Sequence, residues 1–333
     1  MDLQLLDGWI PIRIYRQQSQ AMVDWCYLGA RRFNESFFEQ TIQQCLWQPF
    51  NVLFRHQTPI ETLAELQAAR PGLAPTGFIF HMSRCGSTLA AQMLAALPQN
   101  IVISEAGPID TVLRANLRDP HVTDEQRATW LRGLVGALGQ PRDGRERHLF
   151  VKFDSWSILD LPVIRRAFPQ TPWIFMYRDP VEVMVSQARQ RGSQMLPGVL
   201  DARALGLDFA AAQQIPLDEY CARVLAAICE AATQYYRPGD ARLVHYRQLP
   251  DAVWSSLAEL FEVCYTAEEV ACMRRAAQFD AKRPALEFAS DSAAKRKLAT
   301  EEIRALADRW VRPFYDRLEA LNDVGGATDA EES

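Results

Sequence analysis

Residues 81–89 read "HMSRCGSTL", set between the apolar run "GFIF" (77–80) and the helix-like "AAQMLAAL" (90–97). Gly86 permits close backbone approach and the unusual φ at which successive N–H groups converge on one anion. Ser87 and Thr88 add hydroxyl donors at the positive end of the following helix, and Arg84 adds a fixed charge with a planar fork of donors. A Walker-type nucleotide loop would carry Lys between its last Gly and the hydroxyl residue, but here Ser87 follows Gly86 directly. The spacing points to an anion, and away from an ATP γ-phosphate with Mg²⁺. A second cluster is "YRDPVEVMVS" (177–186). It puts Arg178 at the end of a predicted strand and Ser186 inside the next helix, with Asp179 and Pro180 making the turn. Arg178 then leaves the sheet at the same carboxyl edge as Arg84. Taken alone, the cluster could be an Arg178–Asp179 pair beside a solvated serine.

Strands must bring these clusters together. Apolar runs at 77–81, 100–104, 148–153 and 171–177 read as strands, and "STLAAQMLAAL", "DEQRATWLRGLVGAL", "SILDLPVIRRAF" and "PVEVMVSQARQR" read as helices between them. Such alternation predicts an α/β fold, a central parallel sheet flanked by helices, with anions held where helix N-termini face the strands' carboxyl ends. Residues 1–70 read as a small α+β appendage with a strand at "WIPIRIY" and helices at "SFFEQTIQQCL" and "TPIETLAELQAA". The Pro- and Gly-rich "RPGLAPTG" (70–77) marks a boundary. The α/β domain is expected over 71–322, its second half mainly helical, with a loop carrying "DSAAKRK" (291–297). The small, acidic stretch 323–333 is expected to be disordered.

The chain has 333 residues, 48% hydrophobic and 23% charged, with a net charge of −5, so no global basicity argues for nucleic acid. The pairs Arg274–Arg275 and Lys282–Arg283 read as solvated helix faces. No apolar run approaches the roughly 20 residues of a membrane span, and the N-terminus carries no signal-peptide pattern. Seven cysteines, none in CxxC spacing, read as reduced thiols in a cytoplasmic protein. Cys85 beside an arginine and a helix N-terminus could be reactive, but a small loop filler is the plainer reading. The five histidines have no metal-ligand spacing, so no metal is expected, and His81 and His148 read as packing or supporting residues.

At "SRCGST" and "RDPVEVMVS" the chain resembles the sulfotransferases that use 3′-phosphoadenosine 5′-phosphosulfate (PAPS), whose motifs are of the forms [PS]-[KR]-x-G-[ST]-T and R-[DN]-x-x-x-x-x-x-S. "SEAGP" (104–108), "VHYRQLPDAVWSSLAELFEV" and "KRKLATEEI" keep the family's order more loosely, so the resemblance spans about 75–320. It implies the family's P-loop-like fold and sulfuryl transfer to a hydroxyl or amine of a small molecule, giving 3′,5′-ADP. Arg84 and the amides of Cys85, Gly86, Ser87 and Thr88 would hold the 5′-phosphosulfate. Arg178 and Ser186 would fix the 3′-phosphate, with added charge from Lys295 and Arg296. Lys152 would donate to the transferring group or, alternatively, serve as a structural ion-pair lysine. Relatives often carry K-T-H on the third strand; here "VKFD" offers Lys152 and Asp154, so no histidine base carries over. Glu105 is favoured as the base, with Asp154 the alternative. Apolar side chains after Met195 lean toward a hydrophobic or amphipathic acceptor. Oligomeric state is open. The competing readings are an ATP-dependent phosphotransferase and a non-catalytic nucleotide-binding scaffold.

Overall fold

The computed structural model of the chain describes residues 3–281, 283–287 and 292–331. Three strands open it, β1 (Trp9–Gln17), β2 (Gln20–Tyr27) and β3 (His56–Pro59), paired antiparallel in that order. With them go helices α1 (Phe38–Leu46), α2 (Pro49–Leu53) and α3 (Glu61–Ala69). β2 and β3 are additions to the sequence reading. β2, "QAMVDWCY", buries Val23, Trp25 and Cys26, two of them adjacent, which blurs the alternation that would announce a strand.

The regular part follows as β4 (Pro75–His81), α4 (Ser87–Ala95), β5 (Asn100–Ser104), α5 (Gly107–Leu113), α6 (Ala115–Arg118), α7 (Asp124–Leu138), β6 (His148–Lys152), α8 (Leu161–Ala167), β7 (Trp173–Tyr177), α9 (Pro180–Arg189) and, later, β8 (Ala241–His245). These five strands form one parallel sheet in the order β5-β6-β4-β7-β8. From β4 the chain crosses to the edge strand β5, returns to place β6 beside β4, and then passes to the other side for β7 and β8, so the direction of winding reverses at β4. A crevice opens at such a switch point, beyond the carboxyl ends of the strands. Register sets Ile79 opposite both Lys152 and Ile174, and Ser104 opposite Lys152, so the loops after β4, β5, β6 and β7 emerge side by side.

Aromatic packing fixes the sheet's faces. Phe80 stacks on Phe153 with centroids 4.9 Å apart, and Phe78 meets the same ring edge-on at 5.2 Å. Each fully buried phenylalanine contributes about 1.5–3 kcal/mol. The N-terminal elements share this core through α3 and α7: a Cβ at Gly133 would lie 2.7 Å from the backbone of Leu63, so glycine lets the two helices touch.

The second half is helical as expected, with helix Leu217–Tyr235 burying Tyr220, Cys221, Val224, Leu225 and Ile228 on one face. Two expectations change. Residues 292–298 form a helix rather than a loop, since Ala, Lys, Arg and Leu are strong helix formers. The last helix runs Arg312–Glu331, over most of the acidic stretch expected to be disordered. Arg274 and Arg275 lie on a helix, whereas Arg283 belongs to a strand and Lys282 falls outside the described residues. The seven cysteines are unpaired, and no described helix is long and apolar enough to cross a membrane.

Candidate anion-binding and catalytic site

Ser83, Arg84 and Gly86 all have positive φ (74°, 53° and 90°), which bends the loop after β4 into a concave run of backbone N–H groups. A Cβ on Gly86 would come within 2.6 Å of Leu249 and 2.9 Å of the Tyr246 ring, so glycine is demanded here by space as well as by conformation. The loop is held from behind. The Met82 amide donates to the Met176 carbonyl, and the Cys85 thiol donates to the same oxygen at 3.1 Å. Gln187 of α9 donates to the Ser83 hydroxyl at 3.0 Å. Burial pushes the Cys85 thiol up to about 11, so it fills the loop and stays protonated. Ser87 and Thr88 begin α4, both buried. The Arg84 guanidinium donates to the carbonyl of Gln190, at the end of α9.

Beside the loop stand the ends of β5 and β6. Lys152 is fully buried and forms an ion pair with Glu105, and its ammonium also lies 5.5 Å from the Phe37 ring centroid. His81 Nδ1 accepts from the Ser83 amide at 3.1 Å, which leaves the proton on Nε2. That N–H faces the Phe153 carbonyl at 3.1 Å and Glu105 Oε1 at 3.4 Å. Burial and the neighbouring Lys152 lower the His81 pKa, so the ring is neutral at pH 7. Burial alone would raise Glu105, but Lys152 and His81 outweigh it and hold the carboxyl well below the usual range. Asp154 is the opposite case. Burial, then the charges of Glu105 and Asp110, push it up to about 8, and its carboxyl has no hydrogen-bond partner among the described residues. Two carboxyls on adjacent strand ends are thus driven apart, one held in its ionised form and the other pushed toward its neutral form.

A second cationic cluster sits at the end of β7. Arg178 is buried, and its Nε donates to the equally buried Glu182 at 2.7 Å. Its Nη2 donates to Ser292 at 3.0 Å, and the guanidinium lies 4.0 Å from the Tyr246 ring centroid. Arg296 donates to the other oxygen of Glu182 at 2.8 Å. Burial would raise the Glu182 carboxyl, but Arg178, Ser292 and Arg296 together hold it below its ordinary value. Two guanidiniums thus flank one carboxylate among the described side chains. Ser186 follows Glu182 by one helical turn on the same face of α9 and is half-buried. Tyr246 touches both clusters, through Gly86 on one side and Arg178 on the other.

The fold therefore gathers the predicted residues at one edge of the sheet: Arg84 to Thr88 after β4, Glu105 after β5, Lys152 and Asp154 at the end of β6, and Arg178 and Ser186 at and after β7. Arg296 is brought to the same edge by a helix, while Lys295 turns inward and is buried. Glu182, Tyr246 and Phe37 are site residues the sequence reading omits. Glu182 was legible as the partner four residues after Arg178 in a helix's first turn. Tyr246 lies in a quoted motif without an assigned role, and nothing local marks Phe37.

No protein-family model matches the chain, and no curated protein does. Among solved structures, a sulfotransferase domain from the curacin biosynthetic pathway aligns at 16% identity and a TM-score of 0.43, covering 72% of this chain and 97% of its own. A sulfotransferase from Alicyclobacillus acidocaldarius aligns at 16% and 0.43, covering 75% and 96%. A retinol dehydratase in complex with androsterone and the inactive cofactor PAP aligns at 15% and 0.38, covering 78% and 88%. At such identities and TM-scores, function has to be argued from the residues themselves.

Proposed function

We propose that the chain is a PAPS-dependent sulfotransferase that moves a sulfuryl group to a hydroxyl or amine of a small, hydrophobic or amphipathic acceptor. The observation that carries this is the pair of cationic sites bridged by Tyr246. One, the loop 83–88 with Arg84 and Lys152, suits a phosphosulfate. The other, Arg178 and Arg296 around Glu182, suits a second, separate phosphate. A nucleotide with anions at both its 5′ and 3′ positions fits such a pair; ATP, with one anionic end, fits only half of it. Phosphoryl transfer from ATP is disfavoured further, since the loop lacks the lysine that would follow Gly86.

In the reaction, the acceptor oxygen attacks sulfur while the bond from sulfur to the 5′-phosphate oxygen breaks. The electron pair stays on the phosphate and 3′,5′-ADP leaves. Loop amides and Arg84 would stabilise the charge that develops on that phosphate, and Lys152, buried behind the loop and paired with Glu105, would add a fixed positive charge to the site without touching the sulfuryl group. The acceptor's proton goes to a base. The electrostatics favour Asp154 over Glu105, reversing the preference drawn from sequence. A carboxyl near 8 is matched to proton transfer around neutrality, whereas one locked in an ion pair far below its usual range is a weak base. Glu105 instead orients Lys152, and His81 steadies Glu105. Phe37 gives the acceptor an apolar wall over Lys152. Seven unpaired cysteines suit a reducing, cytoplasmic setting.

Thermal-shift titration tests the nucleotide. We expect stabilisation by 3′,5′-ADP, weaker effects of 5′-AMP and ATP–Mg²⁺, and loss of the preference in Arg178→Lys, which keeps the charge beside Glu182 but not the forked donor geometry. Equal stabilisation by all three nucleotides, or none by any, would refute the reading.

A further inference from the structure

The stretch "LWQPFNVLF" (46–54) exposes apolar side chains almost without interruption. Trp47 is 83% exposed, Leu53 75% and Phe54 54%, with Phe50 and Val52 also exposed. Single exposed hydrophobics are ordinary; a run of this kind marks a surface that meets something. The patch is continuous. Phe50 lies 5.0 Å from Tyr27 and 4.9 Å from Phe54, ring centroid to centroid, and its base is the buried Trp9 at 5.9 Å. It is also held outward. Asn51 is buried between the exposed residues, and its amide accepts from the Tyr27 N–H at 2.8 Å while donating to the Tyr27 and Cys45 carbonyls at 2.9 Å. That clamp fixes α2 on β2, so the neighbouring side chains cannot fold back onto the core.

We propose that this surface docks on a lipid bilayer bearing anionic headgroups. Three observations favour lipid. Tryptophan and phenylalanine on a short amphipathic element are the side chains that settle at the headgroup level. No Asp or Glu occurs between Glu39 and Glu61, the exposed Arg55 follows the patch directly, and the carboxylates of Asp7, ahead of β1, and Asp24, on β2, are paired with Arg70 and Arg13, so the face complements a negative surface. Side chains exposed by three quarters or more stand proud of the surface, and a fluid medium can close around them. The docked face also adjoins the site: α1 runs from Leu46 back to Phe37 beside Lys152, nine residues rising about 14 Å. An acceptor dissolved in lipid would be within reach. That last step rests on the proposed activity; the docking does not.

Sedimentation with vesicles of phosphatidylcholine, alone or mixed equally with phosphatidylglycerol, tests the proposal on the full chain. Wild type is expected to bind the mixed vesicles more tightly. Trp47→Ser with Leu53→Ser should lower partitioning by roughly tenfold or more, and Arg55→Glu should remove the preference for the anionic lipid. These positions are exposed, so an unchanged melting temperature verifies folding. Brominated lipid should also quench wild-type fluorescence more than that of Trp47→Phe, a readout that needs no disruptive variant. Absence of vesicle binding, binding undiminished in the double variant, or a wild-type dimer in light scattering that this variant dissolves would each overturn the proposal.

Discussion

Replacing Asp154 with asparagine should make the protein more stable at neutral pH and nearly inactive. The carboxyl sits at about 8 in the folded chain against an ordinary 3.8. A folded-state pKa raised above the unfolded value means that the folded chain binds the proton more tightly. The associated stability is present below about pH 4 and is lost as pH climbs from there to about 8. At pH 7 the loss has an upper bound of about 4 kcal/mol, three units at 1.36 kcal/mol each; relaxation and water would reduce it to roughly half. Asparagine is neutral at every pH and suffers none of it. The melting temperature of Asp154→Asn minus that of wild type should therefore be near zero at pH 4 and reach several degrees by pH 8, as followed by calorimetry. Activity behaves oppositely. Wild-type kcat/KM should rise with pH and level off above about 8, as Asp154 ionises, and the variant should lose roughly 10²–10⁴-fold with 3′,5′-ADP affinity kept. A stability difference that does not change with pH, or a variant that keeps the wild-type rate, would refute the assignment of Asp154 as base.

Glu105→Gln should cost about 3–5 kcal/mol in chemical denaturation by leaving the fully buried Lys152 unpaired, and Glu105→Gln with Lys152→Met should recover most of it. Gly86→Ala combines a φ of 90° with a contact at 2.6 Å to Leu249, so we expect about 1–3 kcal/mol of destabilisation and loss of nucleotide-induced thermal shift. Mass spectrometry after iodoacetamide at pH 8 should find the exposed Cys264 alkylated and Cys85 untouched, because burial holds the Cys85 thiol near 11.

What the sequence made legible is what depends on local pattern. The strand "NIVIS" and the helix "DEQRATWLRGLVGAL" occur at the predicted residues because the first is a short run buried on both faces and the second opens on its own capping box at Thr123. The loop after β4 was readable because Gly86 and its hydroxyl neighbours are adjacent in the chain. What escaped depends on distant neighbours. The opposite tuning of Glu105 and Asp154 is set by burial first, then by Lys152 and His81 around Glu105 and by the charges of Glu105 and Asp110 on Asp154, groups that the sheet brings together from three strand ends and a helix. Phe37 reaches Lys152 from the N-terminal elements, across more than a hundred residues, with no periodicity to announce it. The helix at 292–298 was misread because its basic cluster suggested a closing loop, although its residues favour helix.

Glu182 gathers one guanidinium from residue 178 and another from residue 296. During synthesis the five-stranded sheet is complete once β8 has been made, yet this pocket still lacks Arg296 and Ser292. A nascent chain thus has every strand of the sheet before the proposed phosphate pocket is complete, and on that proposal nucleotide gives its full stabilisation only after residue 296 has emerged and docked. The last helix closes the same sheet edge, with Tyr315 on His245 and Glu319 on Tyr177, so the segment that completes the pocket also covers the ends of β7 and β8.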